Sequence, residues 1–312
     1  MATSGTSTFT VNRNEVISAT LRLLGVIGNG ETPNSEDFTN CSQALNIMIK
    51  SWAKKGFPLW VTETVEIPMV EGANPYPLGP TAGYIYSVTS TGGTGYTAGT
   101  WTAVGGTTGT VASGTYTVVS GAPAVFTITN PGNSYTSAPT SFVLSGAGTG
   151  AVITGVVVGV TMPKPLRIVE AFIRNDIDND TTLLQVSRQE YDILGNKFST
   201  GIPNQFYYNR QLVNGELYVY NVPSDSTRTI YATVQRQFED MTASTDNFDF
   251  PQEWFQALKW GLAAELLAEY GVSLQMIPYY EQKAEQYIAE CFDWSQEEAS
   301  IKFTFDTRGG AR

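Results

Sequence analysis

The sequence predicts an α+β fold in which two helices near each end of the chain flank a central β region. Apolar residues recur every three or four positions before residue 60 and again after residue 250, as they do along one face of a helix. Between these segments apolar and polar residues alternate, which is typical of strands. From Gly72 to Pro163 the chain contains no Asp, Glu, Lys or Arg, and this break in composition indicates an inserted domain.

These patterns divide the 312 residues into five parts. The chain is long enough, and with 42% hydrophobic residues apolar enough, to bury more than one core. We expect an N-terminal helical part (1–71), an inserted uncharged all-β domain (72–163), a β region (164–240), a C-terminal helical part (241–294) and an extended C-terminal arm (295–312).

Two helices are predicted before the insert. The first should begin at Asn12 or Asn14, whose side chain can cap free backbone N–H groups, and end at Gly25, which tolerates a left-handed cap. The second should begin near Asn34 or Ser35. Each has one apolar face, formed by Val16, Ile17, Thr20, Leu21 and Leu24 in the first helix and by Phe38, Cys41, Leu45, Met48 and Trp52 in the second.

The uncharged segment repeats itself. Residues 93–97 (GTGYT) recur as residues 132–136 (GNSYT), and Gly109-Thr110 recurs as Gly148-Thr149. Both recurrences lie 39 residues after the first occurrence. Eight aromatic residues between Tyr84 and Phe142, together with many valines, supply more apolar surface than a flexible linker contains. We therefore predict two copies of one β repeat.

The remaining β region has three strand signals. Residues 61–67 alternate and lead into the insert. Asn214-Gly215 predicts a tight hairpin, because this dipeptide readily supplies two positive φ angles. The alternating run from Thr229 to Gln235 is expected to pair beside that hairpin.

Two further helices and an arm complete the chain. The third helix should open at Asp249 and Pro251 and end at Gly271, and Gly261 in its middle suggests close approach of another helix. The fourth should span about residues 278–294. Beyond it the helical period is lost, and an arm is predicted whose partner-binding residues are Ile301, Phe303, Phe305, Arg308 and Arg312. The alternative for this segment is a frayed terminus.

The composition argues against several functions. The absence of His removes the usual catalytic triads and imidazole metal ligands. A net charge of −11 opposes binding to DNA phosphates, so Lys54 and Lys55 are expected to cap the second helix instead. Cys41 and Cys291 cannot complete a zinc site unaided and are expected to be buried free thiols, a disulfide being the alternative. No run of 18 apolar residues occurs, so we expect no membrane span, and no cofactor is expected.

One cluster of carboxylates could carry chemistry. Asp176, Asp178 and Asp180 alternate with other residues beside Asn175 and Asn179. We expect a solvated turn, with a weak calcium site as the second interpretation, because oxygen ligands suffice for that ion. A pair of glycosidase carboxylates is the third.

The order of several motifs resembles the head-to-tail adaptors of short-tailed bacteriophages, also called tail accessory or packaged-DNA stabilisation proteins. None of the motifs is catalytic. They are residues 21–32 (LRLLGVIGNGET), 44–48 (ALNIM), 51–53 (SWA), 165–168 (PLRI), 187–191 (SRQEY), 201–203 (GIP), 249–254 (DFPQEW), 262–266 (LAAEL) and 269–271 (EYG).

This resemblance implies a four-helix adaptor core and a structural role without enzymatic activity. Copies of the chain would form a ring, usually twelve-fold, on the portal protein ring at the head-tail junction of the virion, after assembly in the host cytoplasm. The arm from Ile301 to Arg312 would dock on portal subunits. Tail nozzle or fibre proteins would bind as further partners, and DNA would pass through the lumen of the ring without specific binding. The alternatives are a nozzle or tail-tube component, and a carbohydrate-binding or cell-wall-cleaving tail protein.

Overall fold

The computed structural model describes residues 9–52 and 61–295. The chain forms two compact units, and the predicted α+β class is confirmed. The unit built from residues up to Val61 and from Phe238 onward is called the helical unit, and the unit from Thr62 to Gln237 is called the β unit. The described residues form the helices α1 (Arg13–Leu23), α2 (Ser35–Trp52), α3 (Arg188–Ile193), α4 (Phe255–Leu266) and α5 (Ile277–Trp294).

The helix ends follow local capping chemistry. Asn12 caps α1, because its side chain accepts from the Glu15 backbone N–H at 3.0 Å while the Glu15 carboxylate accepts from the Asn12 N–H at 2.9 Å. Gly25 follows α1 with φ of 75°, as predicted. The third predicted helix is shorter than expected, because residues 252–254 form a 3₁₀ turn before α4 and Gly271 lies beyond its end.

Helix α4 is the centre of the helical unit. It packs against α1, α2 and α5. The prediction of close approach at Gly261 is confirmed, because a Cβ atom there would lie 2.8 Å from Trp52 Cζ2 and 2.9 Å from Met48 Sδ. Trp254 is 1% exposed and lies 5.9 Å from Trp52 between ring centroids, so aromatic rings fill the space beside this contact.

The β unit contains an eight-stranded sheet in the order β1-β16-β10-β11-β13-β14-β2-β9. Its pairs are antiparallel except for β11–β13 and β2–β9, which are parallel. These strands are β1 (Thr62–Pro68), β2 (Tyr76–Gly79), β9 (Val160–Thr161), β10 (Arg167–Arg174), β11 (Asp180–Gln185), β13 (Gln205–Arg210), β14 (Gly215–Tyr220) and β16 (Thr229–Gln235), and a small parallel pair joins β12 (Thr200–Gly201) to β15 (Val222–Pro223).

Two expectations about this sheet are wrong. Strand β16 does not pair beside the β13–β14 hairpin but lies between β1 and β10. The hairpin itself has no tight Asn-Gly turn, because Arg210 pairs with Gly215 across a four-residue loop and neither Asn214 nor Gly215 has a positive φ. Asn214 instead accepts from the Thr81 N–H at 3.2 Å, and a Cβ atom at Gly215 would clash with the Tyr208 hydroxyl.

The rest of the uncharged segment forms six strands around a core of its own. They are β3 (Tyr84–Thr91), β4 (Gly99–Val104), β5 (Ser113–Val119), β6 (Ala122–Asn130), β7 (Ser141–Leu144) and β8 (Val152–Val158). Ser120 and Gly121, both with positive φ, form the tight turn between β5 and β6. The core consists of Ile85, Val88, Trp101, Ala103, Ala112, Tyr116 and Tyr135.

Strands of the two copies correspond when 39 is added to their residue numbers: the range of β5 becomes that of β8, and the range of β3 overlaps that of β6. Strands of the two copies pair with each other: β3 of the first copy pairs with β8 of the second, and β5 of the first pairs with β6 of the second. Equivalent contacts appear twice, as Thr94 with Thr149 at 2.9 Å and Asn133 with Thr110 at 3.1 Å between backbone N and O. The copies therefore interlock, and the domain limits of the insert stay a prediction.

Candidate functional site

The predicted docking arm lies outside the described residues, as do Lys54 and Lys55. The structure describes the helix that leads to the arm. Helix α5 is fixed to its own unit, because Phe292 lies 5.0 Å from Trp254 between ring centroids and the Tyr280 hydroxyl donates to the Leu23 carbonyl at 3.0 Å. Trp294, one residue before the end of the described chain, is 80% exposed. Helix α5 is thus anchored in its own unit and exposes an apolar side chain next to the predicted arm.

An aromatic surface lies where α4 meets α5. Trp260 contacts Tyr279, Tyr280 and Tyr287 at centroid distances of 6.0, 5.7 and 6.1 Å. In the segment that connects α4 to α5, Leu274 is 83% exposed. Partly exposed aromatic and aliphatic side chains of this kind are common in protein–protein interfaces.

The outer faces of these helices are acidic. Exposed carboxylates project from α2, α4 and α5, whereas Lys259 and Lys283 are half-buried. Such a surface disfavours contact with DNA phosphates. On these three helices the exposed acidic residues are Glu36, Glu265, Glu281, Glu285, Glu290 and Asp293, and Glu269 is exposed just after α4.

Asp176 and Asp178 lie in the turn between β10 and β11, and Asp180 is the first residue of β11. The Asn175 side chain accepts from the N–H groups of Ile177 at 3.1 Å and Asn179 at 2.9 Å, which closes the turn. Arg174 donates two hydrogen bonds to Asp180, at 2.8 and 2.9 Å, and this holds the pKa of Asp180 below its usual value. Among the described residues no group of three or more His, Cys, Asp or Glu is arranged to hold a metal.

Both cysteines are free thiols. Cys41 is buried and Cys291 half-buried. Burial raises the pKa of Cys41, and it raises that of Cys291 to about 11, with Glu290 and Glu253 adding to the effect. Neither thiol is therefore activated as a nucleophile.

A cavity of about 490 Å³ in the β unit was not predicted. We call it the tyrosine pocket. Tyr207 on β13 and Tyr218 on β14 are cross-strand partners, and Tyr191 from α3 packs against both at centroid distances of 5.9 and 5.5 Å. Helix α3 is held by a capping box in which the Ser187 hydroxyl accepts from the Glu190 N–H at 3.2 Å.

Polar side chains orient these rings. Glu216 accepts from Asn209 at 3.0 Å and from the Tyr218 hydroxyl at 3.1 Å, and Asn209 accepts from the Tyr207 hydroxyl at 3.3 Å. Burial, followed by the bond to Glu216, raises the pKa of Tyr218 to about 12. The hydroxyl of Tyr218 is therefore a protonated donor near neutral pH.

The rim of the tyrosine pocket is charged on one side. Asp192 accepts from Lys197 at 3.3 Å and lies 3.6 Å from the Arg188 Nε atom. Lys197 Nζ stands 5.4 Å from the centre of the Tyr191 ring. Phe198, also at the rim, is 88% exposed.

Sequence reasoning missed this pocket because its residues come from four separated segments of the chain. They lie at 72–74, 188–200, 207–209 and 218–222. Two signals were present: the spacing of Ser187 and Glu190 predicts a helix start, and the alternation of Tyr207 with Asn209 places both on one face of a strand.

Residues 123–303, which are 181 of the 312, match the family described as SU10 adaptor protein. The match starts inside the insert, includes its second copy, and continues through α4 and α5. Part of the insert thus lies within the family match, which the motifs of the flanking residues did not predict. No curated protein matches the chain. None of the described helices is long and apolar enough to cross a membrane.

The adaptor resemblance identified from the sequence is confirmed by this match: the chain belongs to the phage SU10 adaptor protein family.

Proposed function

We propose that this phage adaptor is a structural virion protein that forms a ring on the portal and connects the DNA-filled head to the tail. The family match over more than half of the chain carries the proposal. In this proposal α1, α2, α4 and α5 form the adaptor core, and neighbouring copies, twelve in the full ring, meet through the helical unit.

Two surface properties support a ring with a lumen for DNA. The aromatic surface around Trp260 offers apolar area that a neighbouring copy can cover. The acidic helix faces, together with a net charge of −11, suit a channel wall that DNA must slide past without binding.

The arm supplies the portal contact. Ile301, Phe303 and Phe305 alternate, so in an extended segment they lie on one side and can fill apolar pockets of a portal subunit. Arg308 and Arg312 then pair with portal carboxylates. We further propose that assembly takes place in the host cytoplasm and that nozzle or fibre proteins bind the opposite side of the ring.

Retention on purified portal rings tests the arm. Full-length protein, a truncation after Ser295 and the triple variant Ile301→Ser/Phe303→Ser/Phe305→Ser are compared by pull-down. We expect the last two to lose at least tenfold in retention because central apolar anchors dominate binding energy. Leu212→Ser, which changes a side chain that is 91% exposed in the β unit, is the matched control and should bind normally.

Equal retention of the truncated and full-length proteins would show that attachment runs through the helices. Native mass spectrometry of the same mixtures checks the ring: we expect monomers or weak oligomers without portal and closed rings with it. A closed ring without portal contradicts this order of assembly. Retention only on portals that already carry another ring indicates a nozzle or tail-tube component.

A further inference from the structure

The geometry points to a second binding site: we propose that the tyrosine pocket binds a neutral mono- or disaccharide unit of a glycan. The pocket volume of about 490 Å³ falls in the range of small-molecule sites, roughly 300–1,000 Å³. The pocket lies in the β unit, away from the residues to which the proposed function assigns portal docking.

Three tyrosine rings give the pocket the walls that a sugar needs. The rings of Tyr191, Tyr207 and Tyr218 lie within 5.5–6.0 Å of one another and are held in place by α3 and two central strands. The π face of an aromatic ring is electron-rich, and the C–H face of a pyranose is weakly positive, so the two stack. Fixed rings do this without ordering flexible side chains on binding.

The polar groups around the rings retain unused bonding capacity. Asn209 donates one amide hydrogen to Glu216, which leaves the other for a ligand oxygen. The Tyr207 hydroxyl donates to Asn209 and can still accept, and Thr200 adds a hydroxyl to the lining. Paired donors and acceptors of this kind match the adjacent hydroxyls of a sugar ring.

The charges favour a neutral ligand. Arg188 and Lys197 at the rim are both paired to Asp192, and Glu216, which accepts from Asn209 and Tyr218, adds a second carboxylate beside the pocket. These four groups together carry no net charge, so they do not favour a strongly acidic or basic ligand.

An extended peptide fits the pocket less well than a sugar. Tyr207 and Tyr218 are cross-strand partners within the β13–β14 pair, and β11 and β2 lie on the outer sides of these two strands, so the floor of the pocket is a face of the sheet and not an open edge. Strand addition, through which extended peptides obtain most of their hydrogen bonds, is therefore not possible at this floor.

Binding of defined sugars to the full-length protein tests the proposal. The probes are the N-acetylglucosamine disaccharide, maltose and, as an acidic sugar, glucuronic acid, measured by saturation-transfer NMR and calorimetry. We expect one of the neutral probes to bind with a Kd of ~1 mM or tighter. Tyr207→Ala should weaken this affinity at least tenfold, Tyr207→Phe much less, and Asn209→Ala by several fold.

Tyr231→Ala is the matched control, because Tyr231 is half-buried in a β strand and stacks on Phe172, a residue that is not among those lining this pocket. Its affinity should equal that of the wild type. Thermal unfolding of each variant separates loss of the site from loss of the fold, and Tyr207→Phe keeps the ring if Tyr207→Ala does not fold.

The proposal is wrong if no neutral probe binds, if glucuronic acid binds more tightly than both neutral sugars, or if Tyr207→Ala and Tyr231→Ala behave alike. A second outcome would also overturn the proposal: no sugar binds, and another virion protein attaches to the wild type but not to Tyr207→Ala. The pocket would then be a protein interface. Portal retention of the same variants should be normal, so failure here is distinguishable from failure of the adaptor assignment.

Discussion

The helical unit and the insert have similar cores and different surfaces. Both bury tryptophan among other aromatic rings: Trp254 lies 5.5 Å from Phe250 in the helical unit, and Trp101 lies 5.7 Å from Phe142 in the insert. The helices expose carboxylates, whereas the insert exposes only uncharged side chains, among them Thr100 and Thr102 on one face of β4. Core chemistry therefore does not distinguish the two regions, whereas the charge of their exposed side chains does.

The largest expected effect on stability comes from deleting the insert, and its size depends on the residues at which the deletion begins and ends. Replacing Gly72–Pro163 removes β2, whose Tyr76 and Leu78 are fully buried in the eight-stranded sheet. We expect a loss of about 5 kcal/mol or more of unfolding free energy, since two large core side chains are lost.

A shorter replacement should be tolerated. Tyr84 and Val158 are paired residues of β3 and β8, so an Asn-Gly turn in place of residues 85–157 can join them as a hairpin. We expect this variant to retain a cooperative thermal transition. If the two deletions unfold alike, the insert has no core that is independent of the large sheet.

A smaller effect is expected from filling glycine contacts in each region. Gly261→Ala places a methyl group against Trp52 and Met48, and Gly148→Ala places one against the ring of Tyr96. Overpacking should destabilise by about 1–3 kcal/mol, more at Gly261 because Trp52 is fully buried and Tyr96 is not. Gly195→Ala, which meets open space, is the control and should change denaturant midpoints little. Equal effects at all three positions would contradict the contacts.

The smallest effect concerns alkaline pH. Burial raises the pKa of Tyr76 and of Tyr208 to about 12, above the unfolded value of about 10. The folded state therefore binds these protons more tightly, and this part of the stability is full below pH 10 and is lost as pH rises through about 12. Tyrosinate absorbance should show a late-titrating fraction, and this fraction should shrink by two tyrosines in Tyr76→Phe/Tyr208→Phe while Tyr218 still titrates late. A single transition near pH 10 in the wild type would be inconsistent with this.

Local patterns predicted the helices better than the sheet neighbours. The apolar stripe of α2 and the small residue at 261 indicate which helix face points to the core. This prediction does not require knowing which neighbouring helix covers that face. A strand must instead choose two neighbours in register, and the alternation of Thr229 to Gln235 carries no information on which ones. The same limit explains the tyrosine pocket, because its floor depends on the pairing of β13 with β14 and its wall on the docking of α3.

The interlocked copies of the insert have a consequence for its origin and synthesis. Because β3 must wait for β8, which is made about sixty residues later, this region cannot complete its fold on the ribosome until both copies have emerged. A gene fragment encoding one copy would produce three of the six strands with their apolar side uncovered, and a second identical chain could cover that side. The arrangement is that of a strand-exchanged homodimer whose two subunits have been joined into one polypeptide.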